Sequence, residues 1–233
     1  MIKEKKYTLE DIRKTQKGSG FYLKISNELA SYLIYKIQVL TLHPNYFTLL
    51  SLFCGIGFSY FLLVDNLIMT AIMLNLLYLF DNLDGQWARV KKMTSSFGAL
   101  FDSLVDGWNI SIIIVSVGIY LYNQENNIYY IYLSLLFFIL SFLDFSLEKN
   151  SILETQKDKQ DKIYQTISFQ ENSCTRIRKI ILFISAITSY DKWILMLTLG
   201  IIFNMLPIVL IYIIAVRLLN YSIKLLKIYL TYQ

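Results

Sequence analysis

The hydrophobic and polar positions of this chain change texture near residue 44. The first residues, MIKEKKYTLEDIRK, are rich in charge and belong outside a membrane. Residues 21–40, FYLKISNELASYLIYKIQVL, place Leu23, Ile25, Leu29, Leu33 and Ile34 at steps of about three or four, with Lys24, Asn27 and Glu28 between them. That spacing predicts an amphipathic helix lying flat in a membrane interface. HPN then ends it: the residue before a proline resists helix, and Pro44 suits the first turn of the next one. Beyond it come apolar runs near the roughly 20 residues that cross a bilayer. Six spans are predicted, at about 45–64, 67–87, 97–121, 128–144 and 189–204, with a sixth starting at Pro207. The end of the sixth is left open, because Arg217 either snorkels to the interface or faces the bundle interior. Period-two alternation is absent, which argues against a membrane β-barrel. The expected fold is all-α: a cytoplasmic N-terminus and interfacial helix over 1–43, then a six-helix membrane domain over 44–233 with a polar cytoplasmic loop at about 148–188.

Composition agrees. Of 233 residues 55% are hydrophobic, more than a soluble domain of this length needs. The net charge of +5 is explained by lysines and arginines at cytoplasmic helix ends, and no nucleic-acid partner is expected. VDN and YNQENN carry no Lys or Arg. The N-terminus, the ARVKK turn, the segment 148–192 and the C-terminus carry several. The positive-inside rule then puts both termini in the cytoplasm, which requires an even number of spans. The eighteen tyrosines suit an interfacial belt. Cys54 and Cys174 make no disulfide framework, lone His43 makes no zinc site, and no apolar stretch suggests a cleaved signal peptide. Asp144 and Asp191 read as caps or interface residues.

The chemistry lies in DNLDGQWARVKKMTSSFGALFDSLVD, residues 81–106. Asp81 and Asp84 are three apart and share a helix face, as do Asp102 and Asp106, four apart. A short turn makes the two helices antiparallel neighbours, so the pairs can meet. One such aspartate could simply cap a helix or meet water. Four converging carboxylates would repel one another, and a divalent metal is the natural counter-charge. Hard oxygen ligands favour Mg²⁺ or Mn²⁺, and two such ions about 3.5–4 Å apart clamp an in-line phosphoryl displacement. Gly85, Ala88 and Gly98 remove bulk for helix packing or for a ligand. Arg89 either obeys the positive-inside rule or holds a diphosphate.

The spacing Asp81-x2-Asp84-Gly85-x2-Ala88-Arg89-x8-Gly98-x3-Asp102-x3-Asp106 resembles the signature of the CDP-alcohol phosphotransferase (phosphatidyltransferase) family, with all eight fixed positions filled. Pro44, Asn45 and Thr48 resemble the Pro-Asn-x-x-Thr segment that often opens that family's first span. The resemblance implies an enzyme of phospholipid biosynthesis that transfers a substituted phosphate from a CDP-linked alcohol to a second alcohol and releases CMP. It implies Asp81, Asp84, Asp102 and Asp106 as ligands of two metal ions, with Asp106 also the general base. It implies a CDP pocket of Gly85, Ala88, Arg89, Gly98, Asn45 and Thr48, open to membrane lipid at the cytoplasmic side, in a family whose members are commonly homodimers.

Two substrate arrangements fit: CDP-diacylglycerol with a soluble alcohol, or a CDP-choline, CDP-ethanolamine or CDP-polyol donor with a lipid alcohol. The chain's short length favours the first. Gly107 stands after Asp106, where the inositol-phosphate branch often carries Arg, which argues against a phosphorylated inositol acceptor. Arg176, Arg178, Lys179 and Lys192 are either positive-inside anchors or anion contacts. A prenyltransferase is a remote alternative, since Ala88 and Arg89 do not fit the usual Asn-Asp-x-x-Asp-x-x-x-Asp run. A cation transporter is another, though it leaves Gly85, Ala88 and Arg89 without a purpose.

Overall fold

The computed structural model describes residues 7–16, 21–158 and 190–231, and among them every regular element is a helix. These are α1 (Leu9–Arg13), α2 (Phe21–Ile37), α3 (Asn45–Leu63), α4 (Leu67–Val90), α5 (Ser96–Glu125), α6 (Tyr129–Asp158), α7 (Tyr190–Ile202) and α8 (Leu206–Thr231). Local chemistry sets the boundaries. Pro44 caps α3 with helical dihedrals. The Asn66 side chain accepts from the Met69 N–H to open α4. Ser95 does the same for Gly98 N–H at the start of α5, whose far end stops at Asn126 in the left-handed region.

Helices α3, α4 and α5 are long and apolar enough to cross a membrane. The apolar stretches Tyr129–Leu143, Lys192–Ile202 and Leu206–Ser222 are shorter. One boundary departs from expectation. The polar loop expected from residue 148 begins instead as helix, because α6 continues to Asp158. Residues 145–158 contain neither Gly nor Pro and are rich in good helix formers, so nothing ends the helix earlier. The stretch 159–189, with Cys174, Arg176, Arg178 and Lys179, lies outside the described residues, as do the side chains of Asp144 and Asp191.

Helix α3 packs along both α4 and α5; α6 joins α5 to α8, and α7 leans on α4 and α8. Phe58, Leu62, Leu74, Leu77, Ile113 and Val117 are buried where the first three long helices meet. Gly118 allows a close approach between α5 and α6, since a Cβ there would stand 2.9 Å from the Tyr130 carbonyl oxygen. Arg217 turns toward α6, its guanidinium 5.7 Å from the Phe137 ring centroid.

A second core gathers where α1, α2 and the C-terminal half of α4 meet: Ile12, Ala30, Ile34, Phe47, Leu83 and Val90 surround a fully buried Trp87. Trp87 packs edge-on to Phe47 and donates its indole N–H to the Leu42 carbonyl at 2.8 Å. The predicted helix α2 forms, and its inner face is partly polar. Ser26, Asn27 and Ser31 are buried, while Ile25 and Leu29 are 46% and 53% exposed. The reason lies on α4: Gln86 bonds Asn27 Oδ1 at 2.7 Å and Ser31 Oγ at 3.0 Å, and Asn82 bonds Ser26. Glu28, at the surface of α2, receives Gln16 and Arg13, which hold its carboxyl below its usual range.

Trp87→Ala is expected to cost about 3–5 kcal/mol, seen as earlier thermal unfolding in detergent, while Phe53→Ala at the exposed surface changes little. Equal melting of both variants would show that this second core does not organise the end of α4.

Candidate functional site

Two helix ends build the site. Leu83, Trp87 and Val90 recur at helical spacing on α4 and lock one of its faces into the second core. That lock leaves Asp81, Asp84, Gly85 and Ala88 to other faces of the helix. Six residues past Val90, α5 starts and runs back. Its capping Ser95 sits against Gly98, where a Cβ would be 3.0 Å from Ser95 Oγ and 3.7 Å from Asn45 Oδ1. A side chain at Gly98 would therefore crowd both the cap and Asn45. Asp102 and Asp106 follow at successive turns.

Asp81, Asp102 and Asp106 each offer a carboxylate oxygen, and the three atoms lie within 4.8 Å of one another. Asp84 stands beside this group. The four carboxylates are close enough to feel one another's charge. Asp84 Oδ2 also accepts from Thr48 Oγ1 at 2.6 Å across the α3–α4 contact. Asp102 Oδ1 is buried and has no hydrogen-bond partner among the described residues. A buried carboxylate oxygen of this kind needs a hydrogen-bond donor or a cation. The donors are hard carboxylate oxygens with no thiolate or imidazole among them, so the residues fit Mg²⁺ or Mn²⁺.

A cavity of about 160 Å³ opens alongside. Asn45, Thr48, Gly85, Ala88, Arg89 and Gly98, the six expected pocket residues, all line it, together with Asp84 and Asp102. Gly85 has a visible purpose, because a Cβ there would lie 3.1 Å from Arg89 Nη1. The glycine thus lets the guanidinium lie over the helix backbone at the cavity wall. Sequence reasoning missed three supporting groups. Thr48 was expected only to line the pocket, yet it also holds Asp84. Ser51 accepts from buried Asn109, one turn beyond Asp106. Thr15, far away in sequence, binds Arg89 Nε through its carbonyl. Small polar residues inside apolar helices, such as Ser51 and Asn109, were the available signal for the second of these.

Carboxylates from two apolar helices, with one arginine and small residues around a cavity, mark an integral membrane protein with an acidic site suited to a cation. The match to known sequences is more specific: the chain belongs to the CDP-alcohol phosphatidyltransferase family, whose model covers residues 41–202. An uncharacterized protein of Aquifex aeolicus (strain VF5) is 35% identical over 96 residues. That alignment covers 40% of this chain and 48% of the relative, so the match spans about half the relative's length.

Thr48→Val is expected to strip a buried carboxylate of its donor and to cost about 1–3 kcal/mol of stability. Thr48→Ser, which keeps the hydroxyl, should recover most of it. Equal thermal stability of the two variants would mean that this hydrogen bond does not hold Asp84.

Proposed function

We propose that this protein transfers a substituted phosphate from a CDP-linked alcohol to the hydroxyl of a second alcohol in phospholipid synthesis, releasing CMP. The observation that carries the reading is the convergence of all six expected pocket residues on one cavity that also touches Asp84 and Asp102. At about 160 Å³ it is smaller than the roughly 300–1,000 Å³ that encloses a whole drug-sized ligand. It suits the diphosphate, with the rest of the donor extending beyond it.

Asp81, Asp84, Asp102 and Asp106 would hold two divalent ions, which would supply charge neutralisation on the diphosphate. Arg89 adds paired N–H donors to the same charge. Asp106 is the general base: it takes the proton of the acceptor hydroxyl, whose oxygen bonds to the distal phosphorus. The bridging P–O bond breaks, and its electron pair leaves with CMP. A carboxylate is by nature a weak base, so positioning of the acceptor does much of the work. Thr48 fixes the Asp84 carboxylate, and the lock at Trp87 holds this end of α4 against α1, α2 and α3.

The favoured donor is CDP-diacylglycerol. A second cavity of about 450 Å³ lies between α2, α4 and α7, lined mainly by apolar residues such as Ile25, Leu29, Ile72, Leu76 and Leu79. It begins one turn along α4 from Asp81 and suits hydrocarbon. The exposed stripe Ile25, Leu29 and Tyr32 on α2 supports a helix lying in the interface. The distribution of Lys and Arg supports placing both termini and the site at the cytoplasmic face, and the even number of spans this needs is met by six.

The test is CMP release by protein reconstituted in lipid. CDP-diacylglycerol is offered with soluble alcohols, and CDP-choline and CDP-ethanolamine with diacylglycerol, each with Mg²⁺, Mn²⁺ or EDTA. Release is expected only with metal, and Asp106→Asn is expected to lower it by about 10²–10⁴-fold. A productive choline or ethanolamine donor would reverse the donor assignment. Metal binding without CMP from any donor would sink the enzyme reading and favour cation transport.

A further inference from the structure

Arg89 faces the cavity, yet part of its guanidinium is already engaged. Its Nε donates to the Thr15 carbonyl oxygen at 2.8 Å. Its two Nη groups lie over Gly85 at the cavity wall, the nearer 3.1 Å from where a Cβ would be. A guanidinium is a rigid planar fork of five N–H donors. Pinning it at Nε sets the direction of the remaining edge. A carboxylate in that place would cancel the charge, whereas a backbone carbonyl orients it and leaves it intact.

The position of Thr15 is itself built. Tyr7 N–H bonds Gln38 Oε1 at 2.8 Å. Ile12 is fully buried against Ala30, Ile34, Leu83 and Trp87 in the second core. Arg13 reaches Glu28 with two donors at 2.7 and 3.0 Å. Gln16 donates to Glu28 at 3.1 Å and to Ser31 at 3.0 Å, and Ser31 in turn donates to Gln86, the residue after Gly85. Four attachments, at Tyr7, Ile12, Arg13 and Gln16, thus hold a ten-residue segment that bonds the cavity wall through the Thr15 carbonyl on Arg89.

We infer that residues 7–16 are a positioning element of the ligand cavity: docked on α2, the segment uses the Thr15 carbonyl to set Arg89 so that both Nη groups meet a diphosphate. The inference deepens the proposed function and rests on its reading of the cavity. A docked segment spares the ligand the cost of ordering a long side chain. By linkage, a diphosphate held on Arg89 stabilises the docked segment to the same degree.

The experiment uses the double variant Gln16→Ala/Glu28→Ala in the full-length protein, which loosens the segment and touches neither Arg89 nor the cavity. Trypsin cleavage after Arg13 and Lys14 reports whether the segment is docked. The variant should be cut faster. Its donor KM, or the CMP dissociation constant where turnover is slow, should rise about five- to tenfold, with kcat little changed. In an Arg89→Ala background the same two substitutions should add less than about twofold, because the coupling has lost its intermediary. An equal rise in both backgrounds, or an unchanged KM with a visibly loosened segment, overturns the inference. If the unmodified protein releases no CMP from any donor, the proposed function fails by itself. The coupling is then read from trypsin alone: Arg89→Ala must speed cleavage, and an unchanged rate overturns it.

Discussion

Bringing four carboxylates together between apolar helices is the constraint on which the rest of this structure depends. Like charges repel, and these carboxylates are buried or half-buried, where solvent screens them less than at an open surface. The arrangement survives only if the helices are held by forces stronger than that repulsion. Trp87, Phe47, Leu83 and Val90 supply much of the holding on α4, and the α3–α4–α5 core supplies it further along the bundle. Thr48 and the short turn capped by Ser95 then fix the details.

Small residues at the site have two separate tasks. Gly98 keeps the α5 cap and Asn45 uncrowded, while Gly85 gives the Arg89 guanidinium a place to lie. Neither glycine needs an unusual backbone conformation there; both act by absence of bulk. Polar pairs inside the bundle, Ser51 with Asn109 and Asn27 with Gln86, align helices that apolar packing alone would leave free to slide. Such pairs are directional, and a carboxylate site tolerates little error in helix register.

The folded N-terminal segment makes the arginine a shared residue. Its charge serves the cavity, and one of its donors serves the segment. Binding at the cavity and docking of the segment are thereby linked through one side chain. The attachments of Arg13 and Gln16 to Glu28 lie at the surface, where each alone is worth little. Together with the Gln16 bond to Ser31 and the burial of Ile12 in the second core, they make the docking hold.

Much of this protein was legible in its sequence for a simple reason: its chemistry is carried by local spacing. Asp81 with Asp84, and Asp102 with Asp106, share helix faces by the period of the helix alone, and a five-residue turn makes the two faces meet. Apolar runs likewise announce their helices, and Pro44 marks where the first of them begins. The limits of α6 were misread, because a polar helix and a polar loop look alike when no glycine or proline divides them. What only the tertiary structure decided are the contacts between residues far apart in the chain. Thr48 on Asp84, Gln86 between Asn27 and Ser31, and Thr15 on Arg89 depend on how helices rotate and slide against one another. Side-chain volumes over the whole bundle set that rotation, and no local pattern encodes it.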